Sequence, residues 1–251
     1  MKDAARRIID AIGEGGRVTV MTGAGISAES GVRTFRDSGG LWEDYSLEEV
    51  ATPEAFATNP SLVHEFYNTR RAHLATVQPN DGHRALVRLE RLFGDRFTLI
   101  TQNVDDLHER AGSQRVLHMH GEIYKARCVE CSEVVEWMGD ISFDDGCRSC
   151  SGSMRPHIVW FGEVPFFMEE EIPDICDGCA VFFSIGTSGT VYPAAGLASM
   201  VSLGGGLCVE INLETTPGSG IFELQIEGKA GERLPALLDE LEALLRPEEA
   251  V

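Results

Sequence analysis

Lysine is nearly missing from this chain: only Lys2, Lys125 and Lys229 occur among 251 residues, and no run of basic side chains exceeds two. Against 21 basic residues stand 40 acidic ones, a formal charge of −19. Phosphate backbones are gripped by clustered Lys and Arg, so a nucleic-acid partner is excluded. No secretory leader is expected from MKDAARRIIDAIGEGG, which mixes both charge signs and has no sustained apolar core. Only residues 180–209 run long without charge. That stretch carries Thr187, Ser188, Thr190, Pro193 and a triple glycine at 204–206, with acidic flanks, and it reads as buried strand, loop, helix and strand rather than a membrane span. The expectation is a soluble, cytoplasmic protein with no membrane partner. Its 43% hydrophobic content suits a globular fold, with length for one large domain or one carrying a smaller one.

Apolar periodicity predicts a helix from Lys2 to Ile12, with Ala4, Ala5, Ile8, Ile9 and Ile12 on one face. Short apolar runs at 18–21, 96–101, 181–185 and 207–211 read as buried strands, alternating with helical stretches at 82–93 and 193–203. This alternation predicts an α/β fold: a Rossmann-like parallel sheet with helices on both faces. Each strand ends in a small or polar cluster, at the edge where open parallel sheets bind ligands. Two segments interrupt the pattern, about 34–80 (helical) and about 122–158 (four cysteines). They are expected to form a smaller lobe beside a large one made of about 1–33, 81–121 and 159–251.

Four motifs carry chemistry. Gly23-Ala24-Gly25-Ile26-Ser27-Ala28 fits G-x-G-x-x-[G/A] after a strand, where glycine lets a pyrophosphate approach and a helix N-terminus faces it. A plain strand–glycine–helix turn remains open, since Glu43 and Asp44 do not end a second strand. Glu214, ending a later one, is the better ribose contact. Cys128-x2-Cys131 and Cys147-x2-Cys150 have the spacing of a four-thiolate zinc site, closed and therefore structural. Cys176 and Cys179 lack a partner pair and read as packed thiols. His118-Met119-His120-Gly121 follows a strand expected at 115–117, and alternation along it places both histidines on one side, for structure or for catalysis. Tyr67 and Arg70, at i and i+3 of a helix, offer a phenol and a guanidinium to a carboxylate, or simply form a solvated face.

Together, Gly23–Gly31 with Phe35-Arg36, Thr101-Gln102-Asn103-Val104-Asp105, His118–Gly121, the paired C-x2-C, Val159-Trp160-Phe161-Gly162-Glu163, Gly186-Thr187-Ser188 and Asn212-Leu213-Glu214 closely resemble the sirtuins, the NAD-dependent protein-lysine deacylases. The resemblance runs over about residues 15 to 240. It implies NAD as a consumed co-substrate and one structural zinc on Cys128, Cys131, Cys147 and Cys150. The NAD contacts it implies are Gly23, Ala24, Gly25, Ser27, Ala28, Phe35, Arg36 and Trp42, then Gln102, Asn103, Val104 and Asp105 at the nicotinamide ribose. Gly186, Thr187, Ser188, Asn212, Leu213, Glu214 and Ala230 would serve the adenosine end. His120 becomes the general base, and the acylated lysine of a protein substrate pairs as an added strand with Val159, Trp160, Phe161, Gly162 and Glu163. The match of Tyr67-Asn68-Thr69-Arg70 to the subgroup that removes acidic acyl groups implies desuccinylase and demalonylase activity besides deacetylation. Arg33-Thr34 departs from the commoner Pro-Asp. A plain deacetylase, an ADP-ribosyltransferase and a non-catalytic nucleotide sensor are the alternatives, and a monomer is expected.

Overall fold

The structure is a computed structural model that describes residues 1–33, 41–42 and 45–245. In chain order the strands are β1 (Arg17–Thr22), β2 (Leu41–Trp42), β3 (Tyr45–Ser46), β4 (Phe97–Thr101), β5 (Val116–His118), β6 (Gly121–Cys128), β7 (Val134–Glu136), β8 (Met154–Ile158), β9 (Cys179–Ile185), β10 (Leu207–Asn212) and β11 (Leu224–Glu227). The α-helices are α1 (Lys2–Ile12), α2 (Ala24–Ala28), α3 (Leu47–Val50), α4 (Pro53–Thr58), α5 (Pro60–Leu74), α6 (Asp81–Phe93), α7 (Leu107–Ala111), α8 (Glu171–Cys176), α9 (Leu197–Leu203) and α10 (Ala230–Leu245).

Six strands form one parallel sheet in the order β11-β10-β9-β1-β4-β5, which is the doubly wound dinucleotide-binding order with its reversal at β1. The register pairs Thr22 with both Thr101 and Ile185, so these strands finish level at one rim. The central strands read as unbroken apolar runs because both faces are covered. Val18, Val20, Leu99 and Phe183 pack under α1, α6 and α10. Met21, Ile100, Phe182 and Cys208 face α8 and α9.

A second cluster joins α3, α4 and α5 to Ile123, Ile158 and Trp160. These short helices start where the sequence says they should. Thr52 and Asn59 each accept a backbone N–H of the next turn, with Pro53 and Pro60 in the first helical position. Strands β7-β6-β8 form a separate antiparallel sheet around a small core of Ala126, Cys128, Ile141, Cys147 and Met154. Helix α5 is strapped to this sheet. His64 Nε2 donates to the Met154 carbonyl (3.0 Å), Asn68 exchanges two hydrogen bonds of 2.9 Å with the Ile141 backbone, and Arg71 donates to the Ile123 carbonyl (2.9 Å).

The sequence expectations differ from the structure at three places. The helix expected at 193–203 opens as a 3-10 turn, Ala194–Gly196, before α9 begins. Strand β11 is not signalled, because it lies at a sheet edge and alternates Leu224 and Ile226 with polar residues over only four positions. Strand β5 ends at His118, so His120 sits in the following turn and strand alternation does not place the two histidines. Among the described residues, no helix is long and apolar enough to cross a membrane.

Candidate active site at the carboxyl rim of the sheet

The rim begins as a close meeting of two loops. Gly25 N–H donates to the Gly186 carbonyl (2.8 Å), and Gly23 N–H donates to the Ile185 carbonyl (3.0 Å). A Cβ on Gly25 would lie 2.7 Å from Gly186 Cα, and one on Gly186, which has φ +60°, would lie 2.6 Å from Ile26 N. The glycines are therefore demanded by the contact between the loops after β1 and β9, and the short helix α2 begins at that contact. Beside it, Thr187 is buried, and its carbonyl accepts from Asn212 Nδ2 (2.7 Å) at the end of β10. Ser188 pairs with Thr190 (2.7 Å), while Leu213 and Glu214 stand exposed beyond β10. Ala230 opens α10 with its side chain in the main core.

The turn after β4 supplies a denser polar cluster. Asn103 N–H donates to Thr101 Oγ1 (3.0 Å), and its amide donates to the Gly23 carbonyl (3.2 Å) and to Ser27 Oγ (3.1 Å). Ser27 in turn donates to Asp105 (3.0 Å), whose other oxygen accepts the Leu107 N–H (3.2 Å). Burial pushes the Asp105 carboxyl up, and the Leu107 and Ser27 donors only partly offset this. Beneath, Thr22 donates to Thr101 (2.8 Å), and His108 Nε2 lies 2.9 Å from Thr22. His108 is fully buried and held well below its ordinary pKa by that burial, so it is a neutral structural donor. Sequence reading gave Thr22, Thr101 and His108 no role of their own, because only the folded register brings them together.

His118 and His120 close the cluster. Each has Nδ1 near a carbonyl of the β4 turn, His118 at 3.0 Å from Asn103 and His120 at 3.1 Å from Gln102. A carbonyl only accepts, so both Nδ1 atoms carry hydrogen. Burial lowers the His120 pKa, with the Gln102 carbonyl acting weakly the other way. His120 is thus a neutral imidazole whose Nε2 lone pair is available, the form a general base needs.

The segment after β8 is held from within. Val159 N–H donates to the His120 carbonyl, Phe161 N–H to the Ala51 carbonyl (both 2.9 Å), and Trp160 N–H to the Glu163 carboxylate (2.8 Å). Glu163 clamps Arg155 through two oxygens at 2.6 and 2.9 Å, and Arg155 lies 3.3 Å over the Trp160 ring. The Trp160 indole N–H donates to Tyr67 OH (3.0 Å). Tyr67 is fully buried, its phenol pushed up to about 12 by that burial against the pull of Trp160 and Arg70. Arg70 is buried next to it, with its guanidinium 5.7 Å from the Phe66 ring centre. The helix face carrying Tyr67 and Arg70 is therefore interior, which removes the solvated-face alternative.

Cys128, Cys131, Cys147 and Cys150 bring their sulfurs within 4.8 Å of one another, with none in a disulfide. Cys128 and Cys150 sulfurs lie 3.4 Å apart and those of Cys131 and Cys147 3.7 Å. Tetrahedral zinc with bonds of about 2.3 Å holds thiolates roughly 3.8 Å apart, so the donor set fits that ion. Ser149 and Gly152 N–H groups point at Cys147 and Cys150, in the manner that orients thiolate ligands. Cys176 and Cys179 are packed, buried thiols as expected. Phe35 and Arg36 lie outside the described residues, and of Trp42 only the backbone is described.

Residues 23–193 match the Sir2 family. The chain belongs to that family. It is 51% identical over 226 residues to a Pasteurella multocida protein named NAD-dependent protein deacylase, spanning 88% of this chain and 96% of the relative. A Salmonella typhimurium protein of the same name is 49% identical over 237 residues, 93% of this chain and 86% of that one. Among solved structures, a Sir2 homologue in complex with NAD superimposes with a TM-score of 0.88 at 39% identity, covering 96% of this chain and 95% of the homologue. The fold, with its parallel sheet and separate cysteine-bearing sheet, is the Sir2 fold.

Proposed function

We propose that this Sir2-family enzyme is an NAD-dependent protein-lysine deacylase that accepts acetyl groups and, through Tyr67 and Arg70, succinyl and malonyl groups. The single observation that carries the reading is His120, neutral, with Nδ1–H committed to the Gln102 carbonyl, beside the Asn103–Ser27–Asp105 cluster at the glycine cradle. NAD, as substrate, lies along the rim from the Gly186–Ser188 and Asn212–Glu214 end, past Gly23–Gly25, to Gln102, Asn103 and Asp105 at the nicotinamide ribose. The acyl-lysine oxygen displaces nicotinamide at the ribose carbon, and His120 Nε2 takes the proton from a ribose hydroxyl that then attacks the acyl carbon. The products are free lysine, nicotinamide and O-acyl-ADP-ribose. The zinc stays with the β6–β7–β8 sheet as a structural ion in a smaller lobe that includes α3–α5.

Three features support acidic acyl chains. Tyr67 and Arg70 share the buried face of α5. Trp160 donates to the Tyr67 oxygen, leaving the phenol hydrogen directed elsewhere, and that hydrogen persists at all working pH. An arginine fork matches a carboxylate, and leaving that carboxylate buried and unpaired costs about 3–5 kcal/mol, roughly two to four decades in specificity. The main-chain donors of Val159, Phe161 and Glu163 are engaged internally, so an added peptide strand would address the carbonyls of this segment.

The test is deacylation of one peptide carrying acetyl-lysine or succinyl-lysine, with NAD, for wild type and Arg70→Met. Selective loss of succinyl turnover is the expected result. An equal fall for both substrates makes Arg70 structural and the enzyme a plain deacetylase. ADP-ribose appearing on the peptide as the main product overturns deacylation itself.

A further inference from the structure

His118, at the end of β5, and His120, in the turn before β6, make the same hydrogen bond but differ at their outer nitrogens. His120 Nε2 is the base of the reaction proposed above. His118 Nε2 lies 2.7 Å from Glu109 on α7, while its Nδ1–H holds the Asn103 carbonyl at 3.0 Å. Both partners are acceptors, so both ring nitrogens must donate, and the ring must be an imidazolium. Its side chain is only 7% exposed and Glu109 41%, so the pair is sheltered on one side only.

The bond to Asn103 completes a set of restraints on one residue. The N–H of Asn103 is fixed by Thr101, its amide by Gly23 and Ser27, and its carbonyl by His118. The same turn carries Gln102 and Asp105, the groups assigned to the nicotinamide ribose. We propose that His118, kept protonated by Glu109, is a positioning residue that locks the 102–105 turn in its nucleotide-binding form, and that loss of its proton releases the turn. This inference rests on the reading of the rim as an NAD site.

The release follows from proton placement. When the imidazolium loses one proton, the remaining one stays on Nε2, facing the anionic Glu109, because a carboxylate is the stronger acceptor. Nδ1 then presents a lone pair to the Asn103 carbonyl, and attraction becomes repulsion. The charged and titratable groups facing His118 are Glu109 and His108 on α7, Glu122 on β6 and Asp105 in the turn itself. His108 stays neutral through burial. Burial of His118 pulls its pKa down, but the Glu109 hydrogen bond and charge, with Glu122 and the Asn103 carbonyl, carry it above the ordinary 6.5. The locked form therefore persists below that raised pKa and is lost as pH climbs through it.

The experiment is calorimetric titration of the zinc-loaded protein with ADP-ribose, which occupies the ribose site without turnover, across pH 6 to 10. For wild type, Kd is expected to be flat and then to rise about tenfold above a midpoint higher than 6.5, the worth of one charge-assisted hydrogen bond. His118→Asn keeps a donor at the Nδ1 position and has no proton to lose, so it should bind at every pH with no alkaline limb. Glu109→Gln should also flatten the limb, because its amide can donate to Nε2 and leave the proton on Nδ1. His118→Ala should bind weakly throughout. An alkaline limb that survives in both His118→Asn and Glu109→Gln overturns the inference while the NAD reading stands. Wild type that binds no ADP-ribose overturns both.

Discussion

His118 and His120 donate from Nδ1 to neighbouring carbonyls of one turn, Asn103 and Gln102, yet their surroundings push their protonation in opposite directions. Glu109 faces the outer nitrogen of His118, whereas burial alone dominates at His120. One imidazole is thereby biased toward the cation and the other toward the free base, two residues apart. As the base proposed for the reaction, His120 works in its neutral form, which exists above its pKa, and burial places that pKa under 6.5. Turnover is expected to fall as pH drops through a midpoint below 6.5, and His120→Asn should lose about 10²- to 10⁴-fold in kcat. A steady-state pH profile checks both. An acid limb centred above 6.5, or an active His120→Asn, assigns the base elsewhere.

Glu163 gives a second prediction, because its partner is buried. Arg155 is 7% exposed and bridges both Glu163 oxygens while covering Trp160. Glu163→Ala leaves that guanidinium desolvated, and stability is expected to fall toward the lower end of about 3–5 kcal/mol, since Glu163 itself is part-exposed. Burial pushes the Glu163 carboxyl up, but Arg155 and the Trp160 N–H outweigh it and hold the group below 4.5. Its contribution is therefore complete above the unfolded value near 4.5 and lost as pH falls through the depressed one. Urea melts of wild type and variant at pH 7 and pH 3 should converge at the lower pH. A constant difference removes the ion pair from the account.

The sequence made one level of this structure readable and hid another. Helix α1 and strands β1, β4, β9 and β10 were legible because each buries a long apolar face or two. Strand β11 was not, since an edge strand with one covered face leaves only Leu224 and Ile226 as signal. The cysteine spacing announced its metal site because four thiolates at that interval have few other uses. Glu163 read as a peptide contact, and nothing local tells that its carboxylate is spent on Arg155. The orientation of His120 was likewise hidden: it depends on the Gln102 carbonyl, delivered by a different strand. Tyr67 and Arg70 read on their own as a solvated face, and packing against Trp160 makes that face interior.

The Gly25–Gly186 contact offers a test of whether the cradle is a backbone structure. Gly186 combines φ +60° with a neighbour 2.6 Å from any Cβ. In Gly186→Ala the backbone conformation alone costs about 1–2 kcal/mol, and the clash with Ile26 N must also push the two loops apart. The melting temperature should fall by several degrees and ADP-ribose affinity by more than tenfold, because the loops after β1 and β9 separate at the proposed nucleotide site. Unchanged affinity in a folded variant moves the nucleotide away from this contact.

Metal removal should act at a distance through connections already traced. The β6–β7–β8 sheet has a core of only five buried residues, two of them cysteines, too small to hold itself without the ion. Strand β6 begins immediately after His120, β8 ends immediately before Val159, and α5 is tied to this sheet through His64, Asn68 and Arg71. Cys147→Ser, or a strong zinc chelator, is expected to strip one zinc per chain. Amide exchange should then accelerate in β6–β8 and in α5, while β1, β4 and β9 stay protected under α1, α6 and α10. Acyl discrimination should fail along with turnover, since α5 carries Tyr67 and Arg70. Protection lost equally across the parallel sheet would mean the ion supports the whole fold. Protection unchanged in β6–β8 would mean the four cysteines hold no structural metal.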